Sequence, residues 1–384
     1  MSTTEFKVND PLSNKLWSTD LQVAIPKESW FMQSGFVGKD PSKNIIVIRE
    51  DLKVKPGDQT TYAIRQQIRG GAVAGDNNLV GKTHAMTYLD DVITINQLRT
   101  GVNSGGKMSN KRVPYNVRRD ARDAQAEYWG VHTDEEIIGK LSGALGVGHW
   151  ENIDPNASGF DVDGAIDADG NMLRAPSSNR HIIAGAGAKN ALTTADKFSL
   201  DWVDKALLLA TRLQSNTATR RKMAPLRVKG KNIWICLMDS VQAMDLKAAT
   251  GGRWYDIEKA RLTGGFKDSA LVQQSLGAYE SAFGTVLFYS HEGMVKFDDY
   301  GAQGDIKAAR ALLMGQAAGT LAPGNAGEGD LNVVWHEEEA NHGNEVIITS
   351  GLIRGFQKTA YRTAKGSNDR EDYGVMAIDT AAAW

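Results

Sequence analysis

Apolar and polar positions change period several times along this chain, and each change marks an element. Ile45 to Ile48 is a continuous apolar run, Thr60, Tyr62 and Ile64 alternate at period two, and Val92 to Leu98 is rich in β-branched residues, so strands are expected at all three. Before the last of them, Arg69-Gly70-Gly71-Ala72-Val73-Ala74-Gly75-Asp76-Asn77-Asn78 is glycine-rich. The pattern predicts a long two-stranded ribbon with a soft tip, an element too marginal to stand alone in water and so in need of another surface. A helical period follows: Val113, Val117, Ala121, Ala124 and Tyr128 share one stripe, with Arg118, Arg119, Arg122 and Asp123 turned away. Thr133 with Glu136 has capping-box spacing and predicts the start of another helix through Ile137, Ile138 and Leu141. Leu200, Val203, Leu207 and Ala210 form a further stripe behind Ser199 as its cap.

Beyond Pro225 the chain mixes strands (Ile233 to Met238, Thr285 to Tyr289, Met294 to Phe297) with a helix behind Asp239 and a glycine-rich stretch from Gly251 to Gly277. Strands at Val333 to Glu337, Val346 to Ile353 and Tyr373 to Ile378 close it. At the other end, a short helix is expected at Leu12 to Ile25. Residues 1–42 hold Trp17, Trp30, Phe31 and Phe36 among three prolines, large apolar anchors in a segment too short for its own core, and so read as an arm laid across something else. The whole reads as α+β.

Charge narrows the function classes. Lys+Arg 44 against Asp+Glu 46 leaves a net charge of -2, which argues against a dedicated nucleic-acid binder, since such proteins need a basic surplus to replace counterions. Locally the balance is lost twice. Glu151 to Gly170 carries six acids and no Lys or Arg, with the hairpin-turn pairs Asp163-Gly164 and Asp169-Gly170, and reads as an inserted loop or hairpin. Between Lys205 and Met238 the basic residues Arg212, Arg220, Arg221, Lys222, Arg227, Lys229 and Lys231 occur without an acid. That run is either a solvated connection or a surface meeting the acidic insertion or the Glu337 to Glu339 edge of another copy, or packaged DNA. No apolar run reaches the roughly 18 residues of a membrane span, and Met1 to Asp10 lacks the order of a secretory signal, so a cytoplasmic product is expected. Cys236 lies in the apolar run Ile233 to Met238 and reads as a core thiol.

Candidate chemistry fails on spacing. Gly75 to Thr83 ends in Gly81-Lys82-Thr83 but has five residues before that triplet where a phosphate-cradling loop needs four, and no buried strand leads into it. His336 and His342 are six apart on a strand-like segment, whereas a zinc helix needs i and i+4; a solvated acidic edge at Glu337 to Glu339 is expected instead. The aspartates at 161, 163, 167 and 169 miss the calcium-loop register, and Gly185 to Asn190 lacks the third glycine of a dinucleotide turn. No catalytic residue, cofactor or metal is assigned.

Specific words carry a family resemblance. Asp51-Leu52 followed by Pro56-Gly57-Asp58, then Ile68-Arg69-Gly70, Gly75-Asp76-Asn77, Ile95-Asn96-Gln97-Leu98-Arg99, Leu276-Gly277-Ala278-Tyr279, Leu312 to Ala318 and Ile353 to Lys358 resemble the major capsid proteins of the enquatro-type short-tailed phages, the schitoviruses, whose coat proteins have the HK97-like fold. The match spans most of the chain from Trp17 onward. The resemblance implies an N-terminal arm (1–43), an extended E-loop (44–107), a P-domain (108–225) with a spine helix and the acidic insertion at about 150–198, an axial A-domain (226–330), and strands 331–384 returning to the P-domain. It implies a virion shell subunit, assembled in the host bacterial cytoplasm as pentamers and hexamers of an icosahedral head around double-stranded DNA, without chemistry of its own. Portal, scaffolding and decoration proteins are the further partners it implies, with scaffolding supplied by a separate chain and no membrane involved.

Subunit contacts are then expected at Trp17, Trp30 and Phe31 in the arm, which would gain burial from neighbours, at Arg65, Arg69, Gly70, Gly71, Gly75 and Lys82 on the ribbon, and at Arg220, Arg221 and Lys222. The alternatives are an encapsulin-like compartment of the same fold and, from a different class, a nucleotide-using α/β enzyme resting on Gly75 to Thr83.

Overall fold

The computed structural model describes residues 11–54, 56–65, 71–86, 88–114, 116–147, 171, 173–185, 187–212, 223–228, 230–263, 271, 274–325, 331–362 and 370–384. The acidic stretch 151–170 and the basic residues Arg220, Arg221 and Lys222 lie outside them. Two sheets organise the rest.

The larger sheet has eight strands, with Ile306–Met314 flanked by Val375–Ala381 on one side and Lys231–Met238 on the other, both antiparallel to it. Gly284–Ser290 continues the sheet parallel to Lys231–Met238, register Ile233 to Thr285 through Met238 to Ser290. The period-two geometry of a strand explains why Ile233 to Met238 is apolar throughout: Ile233, Ile235 and Leu237 enter one core, Trp234, Cys236 and Met238 the other. The first core is closed by Phe31, Phe36 and Ile45 from the arm side and by Ile137, Ile138 and Leu141. The second is closed by Val203, Leu207 and Ala210 of helix Leu200–Thr211, with Leu246, Trp254 and Ile257. Cys236 is fully buried there, and burial pushes its thiol up to about 12, which makes it inert.

The smaller sheet has six strands built around Glu345–Lys358, which pairs with Val333–Ala340, Gly319–Pro323 and Asn96–Gly106. Across one face lie the arm helix Pro11–Glu28 and the long helix Val117–Ser142, through Leu21, Ile25, Ala121 and Trp129 against Trp335, Ile348 and Leu352. The ribbon itself is the antiparallel pair Gln59–Arg65 and Tyr88–Thr94.

Several expectations are corrected. Thr133 opens no new helix: Val117–Ser142 runs unbroken through it, and its hydroxyl donates to the Trp129 carbonyl four residues back, which lets a threonine sit inside a helix. Ala124 faces out while Gln125 is buried, its amide donating to the Ile348 carbonyl at 3.0 Å. Ile46–Ile48 and Asn96–Gly106 join the six-stranded sheet, while Gln59–Arg65 and Tyr88–Thr94 pair with each other alone. The glycine-rich stretch after Gly251 contains a helix, Trp254–Thr263. Val375–Ala381 joins the eight-stranded sheet and not the six-stranded one that holds Val333–Ala340 and Glu345–Lys358; it is buried on both faces, a demand that the doubly covered larger sheet meets.

Candidate assembly surfaces

The ribbon is built from a locked base and an open tip. Within Tyr88–Thr94 the period-two pattern turns Leu89, Asp91 and Ile93 inward, and Asp91 is fully buried. A buried carboxylate requires compensation. It accepts from Arg174 through two bonds of 3.1 Å, from the Tyr62 hydroxyl at 2.8 Å, from the Ala360 amide at 3.2 Å and from Arg370. Tyr62, Leu89, Ile93, Ala322 and Tyr361 pack around this cluster. Burial, reinforced by the Asp91 charge, pushes the Tyr62 phenol well up, so it stays a hydrogen-bond donor. Sequence reasoning missed Asp91, although a charge between two inward apolar residues of one strand was a signal that could have found it.

The tip behaves in the opposite way. Residues 71–86 are exposed apart from half-buried Val73, with Leu79 at 56%, Val80 at 83% and Met86 at 52%. The chain turns at Gly75 (φ 56°) and Gly81 (φ 80°), left-handed conformations that a residue with a Cβ disfavours. Of the ribbon contacts expected from sequence, Gly71, Gly75 and Lys82 are exposed here, and Arg65 ends the first strand; Arg69 and Gly70 lie outside the described residues. Residues 83–86 after Lys82 form no helix, and the next described element is strand Tyr88–Thr94, not the helix that a phosphate-binding loop needs to end on. The nucleotide reading fails on that geometry.

The arm is anchored on its own chain through its large side chains. Trp17, Trp30 and Phe31 find partners within their own chain, which buries Phe31 fully and leaves Trp17 and Trp30 half-buried. Trp17 stacks on Trp335 at 5.7 Å with Arg118 over its face at 4.9 Å. Trp30 packs edge-on against Phe36 and Tyr289, and Phe31 is fully buried. Asp134 of the long helix fastens this turn by accepting from the Ser29 hydroxyl at 2.6 Å and from the amides of Trp30 and Phe31 at 2.7 and 3.2 Å. The reason is tertiary: the arm helix lies in a trough between long helix and sheet that the sequence alone does not display.

Glu337 is likewise not on a solvated edge. It is buried, paired with Arg118 at 2.6 Å and accepting from the Trp335 indole at 2.8 Å, while Glu338 and Glu339 are exposed. His336 faces solvent from the same strand and His342 sits in the turn that follows, so the two do not share a helix face. Among the described residues no helix is long and apolar enough to cross a membrane.

The described chain thus combines a ribbon with a fixed root and an exposed apolar tip with two sheets that one long helix packs against. A family model described as phage capsid protein matches residues 5–384. The chain belongs to that family. A major capsid protein of Pseudomonas phage KPP25 is 24% identical over 359 residues, 90% of each chain. The capsid of Ralstonia phage GP4 is similar with a TM-score of 0.80 at 30% identity, covering 100% of this chain and 99% of that one. The capsid of cyanophage Pam1 shares the fold with a TM-score of 0.65 at 17% identity, over 91% of both chains. The chain is therefore a structural subunit of a phage virion shell, and its mixture of helices and sheets is the HK97-like fold.

Proposed function

We propose that this subunit tiles an icosahedral tailed-phage head as pentamers and hexamers around double-stranded DNA, with the ribbon as the E-loop that reaches a neighbouring copy. The observation that carries the reading is the tip: Leu79, Val80 and Met86 stand in solvent on a ribbon whose root is tied down at Asp91. Apolar side chains clustered on a projecting element gain roughly 25 cal/mol for each Å² a neighbour covers. Gly71 and Gly75 let the same tip bend differently in five-fold and six-fold surroundings.

Domain roles follow from the same reading. Residues 108–225, with the long helix, act as the P-domain; 226–330 act as the axial A-domain, joined by the last strand; and the arm braces the long helix. Packaged DNA is met without sequence preference, consistent with a net charge of -2, and Arg220, Arg221 and Lys222 are proposed to face that DNA or a neighbour. Portal, scaffolding and decoration proteins complete the partner set. The enquatro-type affiliation rests on words such as Pro56-Gly57-Asp58 and Ile95 to Arg99.

Electron microscopy of the purified full-length chain tests the proposal. Regular closed shells are expected, and particles taken from lysed cells should hold nuclease-protected double-stranded DNA. A protein that stays monomeric at high concentration sinks the reading, and shells filled with a cargo enzyme in place of DNA would make it an encapsulin-like compartment.

A further inference from the structure

The N-terminal end of the long helix carries the charge that helix electrostatics disfavours. Its first turn holds Arg118 and Arg119 beside Asp120, where unpaired amides favour acids. Just upstream, helix Lys107–Arg112 adds Lys107, Lys111 and Arg112. Arg118 is committed to Glu337, and Arg122 to Asp123 and Asp20. Lys107, Lys111, Arg112 and Arg119 are exposed and have no ion pair among the described residues. Among the described residues, none of the acids around this end is ion-paired with them: Glu345 is hydrogen-bonded to Asn103 and Asn341, and Asp120, Glu127, Glu338 and Glu339 are exposed.

The same chain contains the complement. Glu151, Asp154, Asp161, Asp163, Asp167 and Asp169 occur without one Lys or Arg between them. We propose that the acidic segment 151–169 of a second copy docks on the basic end formed by Lys107, Lys111, Arg112 and Arg119. The proposal rests on the shell-subunit reading and names a contact within it.

Where the segment leaves and rejoins the fold argues for a second copy. The Val147 amide donates to the Lys296 carbonyl at 2.8 Å, and the Asn171 side chain exchanges bonds of 2.9 and 3.0 Å with Thr94. Gly143, which ends the long helix, lies against the Arg174 carbonyl. Both exits are therefore at the C-terminal end of the long helix, and the basic cluster is at the other. A helix of 26 residues is about 39 Å long. Half of the 23 residues between Val147 and Asn171 spans about 40 Å only when fully extended. Reaching its own basic end would stretch the segment taut out and back, whereas a neighbour's basic end imposes no such requirement. Every identical copy offers one acidic segment and one basic end, so the contact is heterologous and repeats around a closed ring.

Particles assembled from an equal mixture of ordinary and heavy-nitrogen full-length chains, treated with a zero-length carbodiimide, test this directly. Lys107 or Lys111 is expected joined to an acid of 151–169, with mixed-isotope pairs as abundant as same-isotope pairs. No such link, or links within one isotope only, overturns the proposal. A K111E/R112E/R119E chain should form shells about tenfold less well, and adding D161K/D163K/D167K should restore them. Failure of the second set to rescue, or normal shells with less packaged DNA from the first set, also overturns it, the latter in favour of a DNA-facing role. If the unaltered chain forms no shells, it is the shell-subunit reading that falls.

Discussion

Arg174 and Asp91, 83 residues apart, meet through two parallel hydrogen bonds of 3.1 Å in a site where Asp91 has no solvent exposure. The pair fixes the ribbon's root to the segment entering the larger sheet, and Arg370 joins it from near the C-terminus. Bidentate geometry makes this an orienting contact as well as an attractive one.

Asp91→Asn should leave Arg174 and Arg370 facing each other without a counter-charge. Breaking such a buried pair costs about 3–5 kcal/mol. A lower urea midpoint and earlier proteolytic cleavage within 59–94 are expected; an unchanged midpoint would mean the cluster is structurally idle.

Asp379 should make stability acid-sensitive. Burial alone would push its carboxyl up, but Arg310 at 2.7 Å through both guanidinium contacts, with His181, outweighs that and holds it well below the usual carboxylate range. The unfolded chain takes up a proton there near pH 4 while the folded one does not. The contribution is therefore complete above about pH 4 and is lost as pH falls toward the depressed folded value. Asp379→Asn should lower stability at pH 7 and flatten its fall between about pH 4 and pH 2, as read by denaturant titrations across that range.

Gly143→Ala tests the end of the long helix. Gly143 has φ 66°, and a Cβ there would stand 2.0 Å from the Arg174 carbonyl oxygen. The left-handed cap and the clash together should cost more than about 2 kcal/mol, visible as a fall in melting temperature. The same change at Gly71, with open space around it, should cost under about 0.5 kcal/mol.

The tip separates folding from assembly. Leu79→Asp with Val80→Asp should change subunit stability by less than about 0.5 kcal/mol, because both side chains are already in water. Shell formation, followed by light scattering, should nevertheless be lost. Normal shells from that variant would show that the tip has no part in subunit contact.

Periodicity by itself determined the local elements. The stripe Val203, Leu207, Ala210, the helix behind Asp239, and the apolar run around Cys236 each stand where the pattern put them, because propensity and face periodicity are set by neighbours in sequence. The family words also pointed to a capsid subunit. Only the tertiary structure decided which surface each face meets. Nothing local pairs Asp91 with Arg174, buries Glu337 against Arg118, seats Trp17 on Trp335 or sends Val375–Ala381 beside Ile306–Met314. An alternating or striped pattern records that a face is buried but not against what. Partners 83 or 219 residues away are selected by global packing and by compensation of buried charge, and those exist only once the chain has folded.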